Sequence, residues 1–340
     1  MPNNELSQKI IDCYNDILKR EPDKEGFHHF SKKIMSKEIT FNDLKIILEN
    51  YEEFKILKDM EKIDQIPLET IDGLTMYLNP TDRNVSYLIF TNKEHEPFET
   101  LILKYFLKEN SIYVDIGANV GYYTLLAASI AKKGQVFSFE PYNLNFELLE
   151  KNIVANNLVN VQTFPYAVYN ENTSVDIFSS GANKGNVRLF KDDLEGYMEE
   201  HQSNKLVKSV TLDTLLDGSI NPDIIKMDIQ GGEMFALEGM KKIIQNTNEL
   251  VLFTEFWPEA ITLNNISPSD FLQSLHNLNF EIYDMDTTSN KLLKKSNAQL
   301  LEDYPKEFKG WYNEKNLRPE CLHFCNSFHI ETFKKVGLFD

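Results

Sequence analysis

The sequence is 340 residues long and carries a large excess of acidic residues. Asp and Glu number 52 against 35 Lys and Arg, which gives a formal net charge of −17 at pH 7. Such a charge repels phosphate backbones, so we expect no nucleic acid partner. Hydrophobic residues at 42% and charged residues at 26% are ordinary for a globular protein, which excludes a disordered or collagen-like chain.

Signals for a membrane or for export are missing from the sequence. The N-terminal segment MPNNELSQKI lacks the basic stretch and apolar run of a signal peptide. No stretch reaches the roughly 18 apolar residues of a membrane span. The 3 cysteines cannot build a disulfide framework, which fits a reducing compartment. We therefore expect a cytoplasmic protein with no membrane span.

Residues 1–58 are predicted to form a small all-α module. Their apolar residues recur at helical spacing in three groups, without the alternation of a strand. Asp23 and Thr40 precede the second and third groups and are typical helix start signals. The pattern therefore predicts three short helices.

This N-terminal stretch also resembles a small helical domain of unknown function found in bacteria, often in proteins tied to surface glycans. The resemblance lies in the run from Tyr14 to Gly26 and in Tyr51-Glu-Glu-Phe54. It implies no chemistry. We interpret the module as a docking or oligomerisation unit, through which the chain would bind a second copy or a protein partner.

Residues 59–110 are predicted to be a lead-in to the main domain. The pattern is β-leaning at 66–90, and 98–107 is predicted to be a helix. From 111 to 340 strands and helices alternate, which is typical of a doubly wound, mostly parallel sheet.

The elements of this α/β domain can be placed from the apolar runs. The predicted strands are 112–116, 135–139, 161–168, 223–227, 250–254, 280–283 and 320–326. The predicted helices are 120–131, 144–155, 233–244 and 268–278. A polar stretch at about 179–208 is predicted as an insertion.

The run Val114-Asp-Ile-Gly-Ala-Asn-Val-Gly121 lies at a predicted strand-to-helix junction. Glycines there let the backbone approach a ligand, and the helix N-terminus adds a positive dipole. Glu140 ends the next strand, where a carboxylate can accept hydrogen bonds from both ribose hydroxyls of an adenosine. The junction therefore predicts a nucleotide-like cofactor.

The glycine spacing disfavours NAD as that cofactor. A dinucleotide fingerprint needs glycine at the third and sixth positions from Gly117, where this chain has Asn119 and Tyr122. Asp115 would also set a negative charge beside a pyrophosphate. S-adenosylmethionine, which has a sulfonium and an ammonium group but no phosphate, suits these residues better. The structural alternatives are that Asp115 satisfies a helix N-terminus and that Glu140 is a solvated strand end.

Four motifs, taken in this order, resemble the FkbM-type methyltransferase family. They are the run 115–124, Val136-Phe-Ser-Phe-Glu-Pro141, Leu212-Asp-Thr-Leu-Leu216 and Ile225-Lys-Met-Asp-Ile-Gln-Gly-Gly-Glu233. The resemblance covers about 96–284. It implies a class I methyltransferase: a Rossmann-like, seven-stranded sheet whose last hairpin, here 280–283 and 320–326, is antiparallel. Residues 285–319 would then be a second insertion.

The resemblance also implies which residues hold S-adenosylmethionine. The family residues that surround the methionine part of the cofactor correspond to Asp115, Gly117, Asn119 and Gly121. Glu140 corresponds to the residue that binds the ribose. Ala167, which follows the third strand, is matched to the surroundings of the adenine.

On the acceptor side, Asp228 matches the family's acidic residue beside the point where methyl donor and acceptor meet. Asp228 and Glu255 each end a strand, and each is a candidate base for a hydroxyl acceptor or a candidate ligand of a divalent ion such as Mg²⁺. These two roles stay open, and the metal ligands are unknown. His201 is a third candidate base. Gln230 stands where the family usually has glutamate, which puts in doubt any role that requires a charge there.

The expected activity is methyl transfer from S-adenosylmethionine to a hydroxyl of a glycan or other hydroxylated metabolite, by in-line displacement. Two alternatives remain open from the sequence. One is N- or C-methylation of a peptide or natural product, because the family does not fix the acceptor atom. The other is a non-catalytic scaffold that keeps the cofactor pocket, which the change at Gln230 favours.

Overall fold

A computed structural model describes most of the chain. The described residues are 3–19, 22–82, 84–179, 187–188, 203–216, 220–287, 289–304 and 322–326. The chain divides into two compact units, residues 1–66 and residues 67–340. The predicted borders at residues 58 and 110, and the docking role of the N-terminal module, stay predictions.

The N-terminal unit is all-helical. Its elements are α1 (Asn3–Leu18), α2 (Lys24–Met35), α3 (Phe41–Glu49), α4 (Glu52–Asp59) and a 3₁₀ turn, Met60–Lys62. Asp23 caps α2 by accepting a hydrogen bond from the Gly26 N–H, and Thr40 forms a capping box with Asp43 at the start of α3. Both predicted start signals are confirmed. The prediction of three helices missed α4, because α4 begins without a polar capping residue.

The core of this unit is built by apolar residues from α1, α2 and α3. Tyr14, Phe30, Leu44 and Leu48 are buried together. The rings of Tyr14 and Phe30 meet edge to face, with 6.2 Å between their centroids. Burial of such a set removes enough apolar surface from water to hold short helices that are marginal alone.

The second unit begins with a short hairpin and two helices. These are β1 (Leu68–Glu69), β2 (Thr75–Met76), α5 (Val85–Asn92) and α6 (Pro97–Phe106). The predicted helix at 98–107 is confirmed by α6. The β-leaning prediction for 66–90 is wrong in its second half, where the chain forms α5. The cause is Asp82, whose carboxylate accepts hydrogen bonds from the N–H groups of Asn84 and Ser86 and so starts a helix.

From residue 112 strands and helices largely alternate, as predicted, but five described strands follow one another within residues 161–210. The strands are β3 (Ile112–Ile116), β4 (Gln135–Phe139), β5 (Val161–Phe164), β6 (Ala167–Val168), β7 (Ser174–Ser179), β8 (Val187–Arg188), β9 (Ser203–Val210), β10 (Ile224–Met227), β11 (Val251–Thr254), β12 (Phe280–Asp286), β13 (Lys291–Lys294) and β14 (Leu322–Asn326). The helices are α7 (Tyr122–Ile130), α8 (Asn143–Ala155), α9 (Leu212–Leu215), α10 (Glu233–Gly239), α11 (Lys241–Asn246), α12 (Pro258–Leu263), α13 (Pro268–Asn277) and α14 (Asn297–Asp303).

The main sheet is doubly wound and mostly parallel, as expected for a Rossmann-like methyltransferase. Its spatial order is β13-β12-β14-β11-β10-β3-β4-β5. Strands β11, β10, β3, β4 and β5 are parallel, and β14 inserts antiparallel between β11 and β12. The predicted antiparallel pairing of the last two strands is therefore confirmed.

The described sheet has eight strands, whereas seven were expected. The additional strand is β13, which lies inside the predicted insertion 285–319 and pairs antiparallel with β12. Asn290 adopts a left-handed conformation at φ 52°, which helps the chain reverse before β13. Asparagine tolerates that conformation better than most residues, so a turn is available where the sequence predicted only an insertion.

A smaller sheet with the order β6-β9-β7-β8 stands beside the main one. The predicted strand 161–168 is divided between the two sheets, because Pro165 has no N–H to continue the ladder. Part of the predicted insertion 179–208 is strand: β7 and β9 pair antiparallel from Ser174 with Lys208 to Ser179 with Ser203.

Two helix predictions also need correction. The predicted helix 233–244 is divided into α10 and α11 at Gly239, where a Cβ atom would lie 2.0 Å from the carbonyl oxygen of Tyr169. Helix α12, which begins at Pro258, was not predicted. In the part of the chain that is described, no helix is long and apolar enough to cross a membrane.

Candidate active site

Four neighbouring strands end at the same edge of the main sheet. Ile116 of β3 pairs with Phe139 of β4 and with Met227 of β10, and Met227 pairs with Thr254 of β11. Each of these residues is the last of its strand, so the residues that follow lie side by side. Those residues are Gly117, Glu140, Asp228 and Glu255. The register therefore brings the predicted cofactor and acceptor residues to one edge.

The loop after β3 is pressed against the end of β10. Gly117 has φ +85°, and a Cβ atom there would lie 2.1 Å from the carbonyl oxygen of Asp228. The N–H groups of Gly117 and Ala118 both donate to the carbonyl of Phe139, at 2.9 Å each. Only glycine fits this position, because a side chain would collide with the neighbouring backbone.

Asn119 and Gly121 continue the loop into α7. Both have left-handed backbones, at φ 51° and φ 93°. The Asn119 side chain accepts a hydrogen bond from the N–H of Val120 at 2.8 Å, which stabilises its conformation. A Cβ atom at Gly121 would lie 2.6 Å from Leu149 Cδ1, so the helix α8 limits the space there.

Glu140 is fixed to this loop by its side chain. Its two carboxylate oxygens accept hydrogen bonds from the N–H groups of Asn119 at 2.9 Å and Tyr142 at 2.8 Å. Burial raises the pKa of Glu140 to about 7, against these two hydrogen bonds, which lower it. The alternative of a solvated strand end is wrong, because Glu140 is only 5% exposed. Each oxygen still has a lone pair for a further donor.

Asp115 lies buried beneath the loop. It accepts a hydrogen bond from Thr124 Oγ1 at 2.6 Å, and the Thr124 and Ser138 hydroxyls are 2.8 Å apart. Burial raises the pKa of Asp115 to about 6, and the charge of Lys226 lowers it. Its hydrogen bond is made to a helix side chain, so Asp115 supports the loop from within the sheet–helix interface. Contact with a cofactor stays a prediction.

Ala167 belongs to the smaller sheet. It is buried with Ile177 and Val207, and Tyr142 packs against this cluster. Since Tyr142 also donates its N–H to Glu140, and Glu140 accepts from Asn119, Ala167 is linked to the loop through two residues. Its role near an adenine stays a prediction.

The two acceptor-side carboxylates are joined by Gln230, which the sequence analysis noted only because the resemblance implies glutamate there. Gln230 Nε2 donates to Asp228 Oδ1 and to Glu255 Oε2, at 2.9 Å each. Burial raises the pKa of Glu255 well above its ordinary value, and the nearby charge of Asp228 adds to the effect. Asp228 and Glu255 therefore form a bridged pair, as the two strand ends predict.

Lys226 is a further functional residue that the sequence analysis did not single out. It is buried in β10, with Nζ 3.5 Å from Asp228 Oδ2 and 3.7 Å from Glu99 Oε1. Nζ also lies 4.6 Å from the centre of the Tyr123 ring. Burial lowers the pKa of Lys226, but the surrounding carboxylates, Glu99 first, raise it well above its ordinary value. The signal available in the sequence is a lysine in the apolar strand Ile224–Met227.

His95 and Glu96 add to the same cluster from the start of α6. His95 is buried, with Nε2 3.5 Å from Glu96 Oε2, and Tyr123 donates its hydroxyl to Glu96 at 2.8 Å. Glu96 has φ 41°, an unusual conformation for this residue type. Its charge raises the pKa values of both Glu255 and Lys226.

The site holds more acidic side chains than basic ones. Burial raises the pKa values of Glu140, Glu233 and Glu255, so these three contribute less negative charge near neutral pH. A cationic ligand would still be attracted to this edge of the sheet, because one buried cation, Lys226, faces the other acidic side chains, Glu96, Glu99, Asp115 and Asp228.

A divalent ion does not fit the acceptor side as it is arranged. Among the described residues, no group of three or more His, Cys, Asp and Glu is placed to hold a metal. The Gln230 amide directs its hydrogens at both carboxylates, where a cation would have to lie. His201 lies outside the described residues.

The comparisons with known proteins agree with this geometry. Residues 115–282 match the family model of the methyltransferase FkbM domain. The chain is 23% identical over 194 residues to Methyltransferase 1 of the fungus Beauveria bassiana (strain ARSEF 2860), a match that covers 51% of this chain and 74% of that protein.

Solved structures are also similar to the chain. Methyltransferase FkbM from Methylobacillus flagellatus KT is 14% identical with a TM-score of 0.38, over 80% of this chain and 59% of that chain, less than two thirds of its length. SMU.1697c from Streptococcus mutans, solved in complex with SAH, is 12% identical with a TM-score of 0.37, over 67% of this chain and 96% of that chain. By the match to the family model, residues 115–282 form a domain of the FkbM family of S-adenosylmethionine-dependent methyltransferases.

Proposed function

We propose that this methyltransferase acts on a hydroxyl group of a glycan or other hydroxylated metabolite. The observation that carries the proposal is the backbone contact between Gly117 and Asp228. It joins the glycine loop, which binds the methyl donor, to the carboxylate pair, which would receive the acceptor. In-line transfer needs donor and acceptor at near contact distance, and the two halves of this site already touch.

The residues of the loop fit S-adenosylmethionine. Gly117 and Gly121 give the loop its two left-handed turns, at φ +85° and +93°, and Glu140 can accept hydrogen bonds from ribose hydroxyls with its remaining lone pairs. The surplus of carboxylates favours a cofactor that carries a sulfonium and an ammonium group. When bound, the cofactor supplies a methyl group on a positively charged sulfur. Asp115 would support the loop, and Ala167 would border the adenine.

Asp228 is the better placed base of the pair. Its side chain is 28% exposed, and one of its oxygens is held by the Gln230 amide while the other faces Lys226. Glu255 keeps its proton to higher pH, because burial and the charge of Asp228 raise its pKa. In the reaction the acceptor oxygen attacks the methyl carbon, the bond from carbon to sulfur breaks, and the hydroxyl proton passes to Asp228.

A hydroxyl acceptor suits this site better than an amine. A carboxylate can accept a hydrogen bond from a hydroxyl group while the hydroxyl stays neutral. The same carboxylates would stabilise an amine as its ammonium form, which has no lone pair for attack. Sugars, which present several hydroxyls, match a site in which Glu96, Asp228 and Glu255 lie near one another.

The proposal can be tested by following SAH release with a panel of acceptors. Wild type should transfer methyl groups to sugars or polyols and fail with matched amines and peptides. Asp228→Asn should lower kcat by at least about 100-fold while keeping the affinity for S-adenosylmethionine. Asp270→Asn, at an exposed position of α13, is the matched control and should match wild type. Transfer to amines alone, or none to any acceptor, would overturn the proposal.

A further inference from the structure

The Gln230 amide makes a two-sided contact that uses its full donor capacity. A primary amide nitrogen carries two hydrogens, and Nε2 has two acceptors, Asp228 Oδ1 and Glu255 Oε2, each at 2.9 Å. A glutamate at this position would place a third carboxylate between the other two. Gln230 therefore makes two hydrogen bonds where a glutamate would be repelled by its neighbours.

The backbone holds Gln230 in place for this contact. Gln230 has φ 55° and Gly231 has φ 99°, so two successive residues are left-handed. A Cβ atom at Gly231 would lie 2.8 Å from Ala260, which leaves no space for the loop to move toward α12. Asn264 Nδ2 also donates to the Gly231 carbonyl at 3.0 Å. A left-handed conformation is unfavourable for a non-glycine residue, and these contacts stabilise it at Gln230.

The two oxygens of Asp228 have different partners. Oδ1 accepts from Gln230, and Oδ2 lies 3.5 Å from Lys226 Nζ. Lys226 in turn lies 3.7 Å from Glu99, on α6. The pair Asp228 and Glu255 is thus oriented from both sides by groups of this chain.

We propose that Gln230 is a positioning residue whose amide takes the place of a divalent ion between Asp228 and Glu255. The amide holds the pair so that Asp228 receives the proton of the acceptor, and the reaction needs no metal. This inference rests on the proposed function for its catalytic part. Its structural part, an amide in place of a cation, stands on the two hydrogen bonds alone.

Three full-length variants test the inference. Gln230→Glu creates a three-carboxylate cluster, Gln230→Ala removes the bridge, and Gln273→Glu is a matched control at a helix position whose Gln273 amide contacts Asn277. Mn²⁺ binding is measured by the loss of the free-ion signal in electron paramagnetic resonance. Affinity for S-adenosylmethionine is measured by calorimetry, and thermal unfolding confirms that each variant is folded.

We expect Mn²⁺ to bind Gln230→Glu and to bind neither wild type nor Gln273→Glu. Gln230→Ala should lower kcat by about 10- to 100-fold with unchanged cofactor affinity, because a misplaced base costs rate and not binding. Wild-type transfer should be unaffected by EDTA. A purely structural role would not create a metal site in Gln230→Glu.

Two results would overturn the inference. One is saturable Mn²⁺ binding to wild type with EDTA-sensitive transfer, which would mean that the Gln230 carbonyl oxygen serves as a ligand. The other is a Gln230→Glu variant that is folded but does not bind Mn²⁺. If no acceptor is ever methylated, the proposed function fails, and the Mn²⁺ experiment still decides whether the amide stands in for a cation.

Discussion

The carbonyl oxygen of Asp228 lies 2.1 Å from the point that a Cβ atom at Gly117 would occupy. The first turn after β3 and the end of β10 therefore meet backbone to backbone. No side chain fits between them, so the loop after β3 is packed directly against the backbone of Asp228. This contact couples the conformation of the loop to the position of the proposed base.

Gly117→Ala should therefore disrupt both stability and cofactor binding. We expect a loss of about 3 kcal/mol in the free energy of unfolding, from the collision and the left-handed backbone together. Urea unfolding and calorimetric titration with S-adenosylmethionine measure the two effects.

Gly73→Ala is a matched control. Gly73 also has a positive φ, +73°, but the nearest atom to its Cβ position is Glu69 Oε1 at 3.9 Å. In this variant only the left-handed backbone opposes the alanine. We therefore expect a loss of about 1 kcal/mol in the free energy of unfolding and normal cofactor binding. Equal losses in the two variants would show that the contact with Asp228 is unimportant.

Lys226→Met should destabilise the fold strongly. Removing the cation takes the opposite charge away from Glu99 and Asp228, and breaking a buried ion pair costs about 3 kcal/mol. Lys104→Met is the control, because its pair with Asp72 at 2.6 Å is partly exposed and should contribute below about 1 kcal/mol. The double variant with Glu99→Gln should recover part of the loss. Equal effects at positions 226 and 104 would contradict the buried pairing.

Affinity for S-adenosylmethionine should rise with pH between about 6 and 8. Burial raises the pKa of Glu140 to about 7, so its carboxylate becomes charged over this range. The charged form accepts hydrogen bonds from ribose hydroxyls more strongly. Titrations at several pH values should show the rise in wild type and a flat, weaker response in Glu140→Gln. A wild-type affinity that falls with pH would argue against a ribose contact at Glu140.

Glu233 should make the protein less stable as the pH rises. Glu233 is 1% exposed, its Oε2 has no hydrogen-bond partner, and burial raises its pKa from 4.5 to about 8. The unfolded chain releases this proton above about pH 4.5 while the folded chain keeps it, so stability is lost between the two pKa values and levels off above about 8.

Glu233→Gln tests this directly. The amide removes the titration and keeps an oxygen for the N–H of Ile229, which Glu233 now accepts at 3.1 Å. At pH 8.5 we expect the variant to be more stable by about 5 kcal/mol, with no difference at pH 4. Urea unfolding at both pH values measures the difference, and an unchanged slope with pH would refute the assignment.

The sequence predicted the elements that carry the cofactor loop. Strands Ile112–Ile116 and Gln135–Phe139 have the predicted bounds, because apolar runs that end in turn or acidic residues define their borders. The glycine loop and Glu140 followed from the same borders. A local pattern was sufficient there, since each of these residues lies directly after a strand.

Contacts between distant parts of the chain could not be predicted in the same way. Glu96 and Glu99 meet Lys226 only because the fold brings α6 against β10, and no spacing in the sequence encodes that approach. The bridge by Gln230 depends on its left-handed backbone, which turns the side chain toward Asp228 and Glu255. From the sequence, Gln230 could be noted only as a glutamine where the resemblance implies glutamate, and its contacts could not be predicted.

The most direct test of the central claim is calorimetric titration of the wild-type protein with S-adenosylmethionine, with SAH and with NAD. We expect saturable binding of S-adenosylmethionine and SAH at one site per chain, and no binding of NAD, because the acidic site repels its pyrophosphate. Binding of NAD, or folded protein that binds neither S-adenosylmethionine nor SAH, would contradict it.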